Sequence, residues 1–422
     1  MRRLASSRRT ALAPLAALLG ALAPSVAPSS PARAAEPAAP PAAIELGDRP
    51  AALAAGLPPG ELRDALVGCD VADVRPTAFS IGHRGAPLGY PEHTREGYLA
   101  AARQGAGIVE CDVAFTRDRE LVCRHSQCDL HTTTDILETE LAAKCLVPPD
   151  PSSETPWAEV RCCTTDLALA EFRTLEGKSD AGDPAATTLE AYLAGGLDAE
   201  RAAARGTLMT HAESIELFDA LGVGMAPELK EVLVEPEPSP DGPYTRAMQA
   251  DRMLREYRDA GVDPARVWPQ SFEEEDVARW LATAPDFADR VVLLDDRYEG
   301  TGFDHEDPST WAPTMDELAA GGLRHLAPPL WMMVTTDGAG RIVPSAYAEA
   351  AKGAGLELIA WTLERSGSLV DGGGWYYRSV AETVDDDSDA LVLLDVLARE
   401  VGVVGVFSDW PATVSFYAHC RG

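Results

Sequence analysis

The stretch Gly107-Ile-Val-Glu-Cys-Asp-Val-Ala-Phe115 decides the fold, because two acids interrupt a run that is otherwise apolar. Side chains of a strand alternate between its faces, so Glu110 and Asp112 share one face and the other face is apolar. On an antiparallel sheet the acidic face would be exposed to solvent, and the two acids would not indicate a functional site. Inside a closed parallel barrel it points to the interior, where unpaired carboxylates are very costly and need a cation. The stretch therefore predicts a buried strand that carries a cation site.

Further apolar runs, separated by helical segments, lie on both sides of this strand. They cover residues 78–82, 121–125, 224–230, 267–272, 291–295, 325–329, 356–363 and 403–408. Alternation of strands and helices implies a parallel sheet, and roughly eight such units predict a (β/α)8 TIM barrel of the α/β class. A doubly wound open sheet is the alternative fold. No G-x-G-x-x-G follows the first strand, so a dinucleotide-binding sheet lacks its signature.

The composition of the 422 residues is that of a globular protein, with 46% hydrophobic and 24% charged residues. The 36 Lys and Arg face 67 Asp and Glu, a net charge of -31. A surface this acidic repels nucleic acids and anionic membranes, so we expect neither as a partner. A metal ion or a local basic cluster can still admit a small anionic substrate. Composition leaves the oligomeric state open.

The N-terminus has the pattern of an export signal, predicted for residues 1–34. Four arginines precede an apolar stretch at 11–23, and Ala32-Arg33-Ala34 provides an A-x-A cleavage pattern. A Sec signal and a twin-arginine signal, suggested by Ser7-Arg8-Arg9, fit equally well. We expect a secreted or periplasmic protein with no stable membrane anchor. Residues 35–68 are predicted to be an Ala/Pro-rich mobile segment, followed by a barrel domain over 69–422.

Eight cysteines agree with export, because an even number in an oxidising compartment favours disulfides. Zinc is the weaker alternative, since no pair has C-x-x-C spacing. Five of the eight fall between Cys123 and Cys163. This clustering predicts an insertion after the second strand, at about 126–205, held by disulfides and not by a core of its own. Cys69 and Cys420 are predicted to join the two ends of the domain.

A second acidic strand end, Ala226-Pro-Glu-Leu-Lys230, places Glu228 and Lys230 on one face. Glu110, Asp112 and Glu228 are then predicted to converge on one divalent cation. All three offer oxygen ligands, so Mg²⁺ or Ca²⁺ is expected and Zn²⁺ is not.

Two histidines are predicted beside this cation site. His83 ends the first strand and His125 ends the run at 121–125, and barrel enzymes keep their chemistry at such strand ends. A lone histidine there would more often be structural, but two beside three acids indicate an acid–base pair. The remaining histidines are interpreted as structural, with more doubt about the strand-end His325: His93, His131, His211, His305, His325 and His419.

These residues fall into a series of motifs. In chain order the motifs are Gly82-His83-Arg84-Gly85, Pro91-Glu92-His93-Thr94, Glu110-Cys-Asp112, His125, Glu228-Leu-Lys230, Ile359-Ala-Trp361-Thr362 and Gly405-Val-Phe-Ser-Asp409-Trp-Pro411. In this order and spacing, from about residue 79 to 420, the chain resembles the glycerophosphodiester phosphodiesterase family. The resemblance implies a (β/α)8 barrel with an insertion after the second strand. It also implies metal carboxylates at Glu110, Asp112 and Glu228 and catalytic histidines at His83 and His125.

The chain departs from the family pattern at two places. His93 stands where the family commonly has Asn, and Ser126 stands where it commonly has Asp. The second change puts the orientation of His125 in doubt, and either Ser126 or a residue of the insertion is expected to replace the missing acid. Neither change removes a metal ligand or a catalytic histidine, so an active enzyme is expected.

The expected activity is secreted, metal-dependent hydrolysis of glycerophosphodiesters to glycerol 3-phosphate and an alcohol. His125 is expected to protonate the leaving alcohol and His83 to act on the nucleophile, which the resemblance implies is the glycerol 2-hydroxyl. Arg84 and Lys230 would add positive charge around the phosphate, and Trp361 either walls the substrate pocket or packs in the core. Two alternatives remain, a phospholipase-D-like lyase that releases a cyclic phosphate and a catalytically silent secreted binding protein. The head group and the choice between Ca²⁺ and Mg²⁺ stay open.

Overall fold

A computed structural model describes residues 43–236 and 242–422. The signal peptide predicted for residues 1–34 lies outside the described residues. The strands that the structure describes are β1 (Thr77–Gly82), β2 (Ala106–Phe115), β3 (Leu121–Cys123), β4 (Glu176–Lys178), β5 (Arg205–Thr207), β6 (Gly224–Leu229), β7 (Gln270–Ser271), β8 (Val292–Leu294), β9 (His325–Ala327), β10 (Val334–Thr336), β11 (Ile342–Pro344), β12 (Glu357–Leu363) and β13 (Gly405–Ser408).

Eight of these strands form a closed parallel barrel, which confirms the predicted TIM fold. The strand order is β1-β13-β12-β9-β8-β7-β6-β2, and β1 pairs with β2 to close the ring. The run predicted as a strand at 121–125 is not part of the ring. It forms β3, which pairs antiparallel with β2 because the chain turns back over residues 116–120. The other eight runs match the barrel strands.

Helices connect the barrel strands, and several begin at a residue whose side chain caps the first turn. Thr94, for example, accepts a hydrogen bond of 3.2 Å from the Gly97 N–H at the start of the third helix. The helices are α1 (Arg49–Gly56), α2 (Glu61–Val67), α3 (Arg95–Arg103), α4 (Leu130–Thr133), α5 (Leu169–Phe172), α6 (Leu189–Ala194), α7 (Ala199–Ala203), α8 (His211–Leu221), α9 (Arg246–Asp259), α10 (Glu274–Thr283), α11 (Met315–Ala320), α12 (Leu330–Met333), α13 (Ala346–Gly353), α14 (Asp389–Val396) and α15 (Pro411–Arg421).

The alternation read from β2 sets the two faces of the barrel wall. Val109, Cys111 and Val113 belong to the large core between the strands and the outer helices. Ile108 belongs instead to the apolar layer inside the barrel, which consists of Ile81, Ile108, Ala226, Val292, Leu294, Ala327, Ile359 and Phe407. Glu110 and Asp112 follow Ile108 on the inward face, so the acids lie next to this apolar layer, toward the carboxyl end of the strand.

Part of the segment expected to be mobile is ordered in the structure. Residues 49–67 form α1 and α2, whose Leu53 and Leu66 are buried in the main core. Cys69 forms a disulfide with Cys420 in α15, as predicted, and this disulfide ties α2 to the C-terminal helix. The Ala/Pro-rich composition did not indicate these two short helices, whose leucines are buried in the main core.

The cysteine-rich insertion has a hydrophobic core, contrary to the expectation that disulfides alone would hold it. Its disulfides are Cys128–Cys163 and Cys145–Cys162, and Cys111–Cys123 joins β2 to β3. Its core also includes residues of β2 and β3 and consists of Ala114, Val122, Leu130, Ile136, Leu137, Cys145, Val160, Cys162, Leu167, Phe172, Leu175, Ala186, Tyr192 and Leu208. The elements of the insertion are short 3₁₀ and α-helical turns, which give no extended hydrophobic periodicity. The core therefore could not be predicted from the sequence.

None of the helices in the described part of the chain is both long enough and apolar enough to span a membrane.

We predict that C69S/C420S lowers the free energy of unfolding by roughly 2–5 kcal/mol, because this disulfide restricts the unfolded chain over most of its length. Urea unfolding monitored by circular dichroism measures the change. The matched control is C145S/C162S, which opens a loop of only 17 residues and should cost less. Equal unfolding midpoints for the two variants would contradict this account.

Candidate active site at the barrel mouth

Three carboxylates meet inside the barrel, near the carboxyl ends of two neighbouring strands. Parallel pairing of β2 with β6 sets Asp112 beside Glu228, and Glu110 lies two residues earlier on the same face. One carboxylate oxygen from each residue lies within 4.8 Å of the others. Their exposed fractions are only 1–6%. The structure thus brings together the three residues that the sequence predicts as cation ligands.

The hydrogen bonds of these acids leave room for a cation. Glu110 accepts one bond from the Arg84 N–H and one from the Gln270 side chain, each at 2.8 Å. Glu228 Oε1 lies 2.5 Å from Lys230 Nζ. Asp112 Oδ2 lies 2.9 Å from His93 Nε2, whereas its buried Oδ1 has no hydrogen-bond partner among the described residues. An unpartnered carboxylate oxygen amid two further carboxylates fits a hard divalent cation.

The electrostatics of the site also indicate missing positive charge. Burial, together with Asp112 and Glu228, raises the pKa of Glu110 well above its usual value. Burial also raises the pKa of Glu228 to about 7, in spite of Lys230. Burial opposes ionisation of Asp112 too, but His93 and Lys230 hold its pKa well below the usual value. Without a cation, protons must neutralise part of this charge.

His83 follows β1 and is held by a carboxylate that sequence reasoning did not select. Its Nδ1 lies 2.5 Å from Asp409 Oδ1, and its Nε2 lies 3.9 Å from Glu110 Oε2. Asp409 follows β13, the barrel neighbour of β1. Burial lowers the pKa of His83 to about 4, although Asp409 acts in the opposite direction. With Nδ1–H donating to Asp409, Nε2 presents its lone pair to the acidic site.

His125 reaches the same site from the antiparallel arm β3. The Arg124 N–H donates to the Asp112 carbonyl at 2.8 Å, which brings the following residue back to the level of the carboxylates. One ring nitrogen of His125 lies within 4.8 Å of carboxylate oxygens of Glu92 and Asp129. Burial, followed by the charges of Arg84 and Lys230, lowers the pKa of His125 well below its usual value.

Both histidines open onto one cavity of about 300 Å³ at the barrel mouth. Its wall carries every site residue predicted from sequence except Asp112. The cavity is lined by His83, Arg84, Glu110, His125, Asp180, Glu228, Lys230, Phe272, Leu294, Trp361, Arg365, Tyr376 and Phe407. The arrangement offers a charged face for an anion and an aromatic face for an apolar group.

Trp361 lies on the aromatic face and also packs there. Its indole N–H donates to the Ala327 carbonyl at 2.7 Å, and its ring stacks on Trp375 with centroids 5.8 Å apart. Phe272 contacts it edge-on at 5.8 Å. The two roles weighed for this residue, pocket wall and packing, therefore coincide.

Sequence reasoning missed Asp409, Arg365 and Gln270. Asp409 ends an apolar strand as His83 does, so the same strand-end rule could have found it. Arg365 follows β12 and lies 3.0 Å from Asp409, and no sequence pattern marks it. His93, interpreted as structural, is fully buried between Asp112 and the Tyr98 hydroxyl, which lies 3.0 Å from Nδ1. It holds one of the candidate cation ligands in place.

A parallel barrel whose mouth carries three carboxylates, two histidines and three basic side chains fits the class of TIM-barrel enzymes that act on phosphate esters. The family model described as "Glycerophosphoryl diester phosphodiesterase family" matches residues 83–413, and the chain belongs to this family. Its enzyme class is that of the glycerophosphodiester phosphodiesterases, as the sequence resemblance implied.

The chain is also similar to individual proteins. A protein of Arthroderma benhamiae named "Extracellular protein" is 40% identical over 57% of this chain and 98% of its own length. "Probable glycerophosphodiester phosphodiesterase 1" of Mycobacterium tuberculosis is 51% identical over 12% of this chain and 18% of its own. The crystal structure of a candidate glycerophosphoryl diester phosphodiesterase from Silicibacter pomeroyi superposes with a TM-score of 0.53 at 18% identity, covering 82% of this chain and 95% of the other, a likeness of fold.

We predict that Mg²⁺ or Ca²⁺ raises the melting temperature and that its affinity falls as the pH drops below about 7. The sign follows from the raised pKa values of Glu110 and Glu228, because protons bound below the pKa compete with the cation. Calorimetry in two buffers should detect proton release on binding. E110Q should abolish binding, whereas E299Q, which removes an exposed charge, should not. Affinity that rises on acidification would contradict the prediction.

Proposed function

We propose that the protein is a secreted, metal-dependent hydrolase that converts glycerophosphodiesters, the deacylated phospholipids, to glycerol 3-phosphate and an alcohol. One observation carries the proposal. A single cavity brings together a cluster of carboxylates whose charge is not fully balanced, two imidazoles and an aromatic wall. A cavity of about 300 Å³ is small for a lipid with acyl chains and suits a glycerol phosphate with a small head group.

Glu110, Asp112 and Glu228 would hold the divalent cation. When bound there, such an ion supplies Lewis acidity and a template for phosphate and hydroxyl oxygens. Arg84 and Lys230 border the same cavity and add fixed positive charge on the phosphate side. Neither the net charge of the protein nor the acidic cluster then prevents an anionic substrate from binding.

The two histidines divide the proton transfers. In the first half-reaction His83 Nε2 takes the proton of the glycerol 2-hydroxyl, which attacks phosphorus. The bond to the head group breaks, and its oxygen receives a proton from His125. In the second half-reaction neutral His125 takes a proton from the attacking water, and His83 returns its proton to the glycerol 2-oxygen as the cyclic phosphate opens. Each histidine ends the cycle in its starting state.

The tautomer of His83 supports its role as the base. Asp409 accepts the Nδ1 proton, and the pKa near 4 keeps the ring neutral at physiological pH, so Nε2 is free to accept a proton. Export is supported separately, by four disulfides and by the relative named "Extracellular protein".

We predict that the purified protein converts glycerophosphocholine to glycerol 3-phosphate and choline, and that a chelator abolishes the reaction. H125A should reduce kcat by roughly 10²-fold or more, because the leaving alkoxide loses its acid. Phosphorus NMR identifies the product. A cyclic phosphate as end product would instead assign a lyase, and activity that survives both chelation and H125A would exclude the proposed chemistry.

We further predict that D409N lowers kcat roughly 10²-fold with little change in KM, because the amide can stabilise the wrong imidazole tautomer. Steady-state kinetics with glycerophosphocholine measures this. The matched control is D395N, which removes a carboxylate that bonds Tyr417 and Arg421 away from the site. A loss of equal size in the control would attribute the effect to stability.

A further inference from the structure

A second cluster of titratable side chains lies beside the cavity, and only one of its members, His125, takes part in the mechanism above. Glu92, His125 and Asp129 each place one oxygen or nitrogen atom within 4.8 Å of the other two. Glu92 is 2% exposed and Asp129 is 9% exposed. The inference below rests on the proposed function, since it concerns how His125 acts within it.

The turn that follows His125 directs Asp129 back toward the imidazole. The Ser126 N–H donates to Asp129 Oδ2 at 3.0 Å, and the Cys128 N–H donates to Ser126 Oγ at 3.2 Å. The Asp129 carbonyl accepts from the Thr133 hydroxyl at 2.9 Å in the first turn of α4. The Cys128–Cys163 disulfide anchors the same turn to the insertion. The carboxylate is therefore fixed by its backbone and by one hydrogen bond.

The other oxygen of Asp129 has no such bond. Asp129 Oδ1 and Glu92 Oε1 are both buried without a hydrogen-bond partner among the described residues. Glu92 is otherwise engaged through Oε2, 3.1 Å from Arg84 and 3.5 Å from Arg365. Two buried carboxylates with oxygens within 4.8 Å of each other repel one another unless a proton donor or a cation lies near them.

The surrounding charges favour a proton donor over a second metal ion. Arg84 pairs with Glu92, and an Arg124 N–H donates to the Glu92 carbonyl at 2.5 Å, so two guanidinium groups already border the group. A further divalent cation would meet their repulsion. The imidazole of His125 offers an N–H from within the group itself.

We propose that Asp129 is the positioning residue of His125, its Oδ1 accepting the ring N–H and stabilising the imidazolium that protonates the leaving alcohol. It thereby supplies, from the fourth residue after the histidine, the carboxylate missing at Ser126. Arg84 and Lys230 oppose a charged imidazole, so the acid form of His125 needs this partner. Burial raises the pKa of Asp129 to about 6, which leaves it ionised at neutral pH.

The test compares two substrates that differ in their need for an acid. Glycerophosphocholine expels an alkoxide that must be protonated, whereas a 4-nitrophenyl ester of glycerol 3-phosphate expels a stable phenolate. D129N keeps an oxygen for the Ser126 N–H but loses the charge. It should lower kcat on glycerophosphocholine roughly 10²-fold and change kcat on the nitrophenyl substrate by less than about threefold. In an H125A background the same substitution should cause no further loss on glycerophosphocholine.

The matched control is D166N, another aspartate of the insertion whose carboxylate accepts backbone N–H bonds, from Cys163 at 2.7 Å and Leu146 at 2.9 Å. It should leave both substrates unaffected. If D129N does not fold, D129S, which keeps an oxygen near the Ser126 N–H, replaces it.

Three results would overturn the proposal. Equal losses on both substrates would make Asp129 merely structural. Unchanged kinetics would mean that His125 needs no such partner. A fall from two bound cations to one in D129N, measured by calorimetry with Mg²⁺, would assign a second metal site. In all three the wild type still hydrolyses glycerophosphocholine, whereas failure of the wild type itself would overturn the proposed function as well.

Discussion

Confinement of three carboxylates within a closed barrel is the constraint on which the rest of the mouth depends. Glu110, Asp112 and Glu228 are fixed by strand pairing, so they cannot move apart to relieve their repulsion. An uncompensated buried charge costs several kcal/mol even after relaxation. The neighbouring groups reduce this cost with hydrogen-bond donors and positive charge, among them Lys230 beside Glu228 and His93 beside Asp112. The proposed divalent cation would balance the negative charge that these groups do not.

The compensation continues around the rim as a chain of alternating charges. Arg84 contacts Glu92, Glu92 contacts Arg365, and Arg365 contacts Asp409 at 3.0 Å. Asp409 ends the chain at His83. Each acid in this network of ion pairs therefore contacts an arginine as well as bordering the site. The orientation of His83 depends on residues that follow three different strands. Charge balance and positioning of the base are the same structural requirement here.

The sequence predicted the barrel and the meeting of its three inward acids because both follow from strand periodicity. Inward acids at Glu110 and Asp112 are visible once alternation is assumed, and Glu228 repeats the pattern on the adjacent strand. Residues on the loops that follow strands show no hydrophobic periodicity. The sequence around Arg365 therefore did not indicate a place in the site, and Asp409 was marked only by its position at the end of a strand. Nor could composition show that residues 49–67 form helices or that the insertion has a core, because burial there depends on tertiary contacts between short elements.

The insertion supports a histidine that lies outside the ring of barrel strands. His83 follows a barrel strand, but His125 follows β3, an arm outside the ring, and needs support that the ring does not give. Cys111–Cys123 ties this arm to β2, and the apolar core beneath it buries Val122 and Leu130 on either side of the histidine. Two disulfides and the apolar core support the turn at residues 124–129. In the proposal above, this support allows an acid four residues after His125 to position the imidazole.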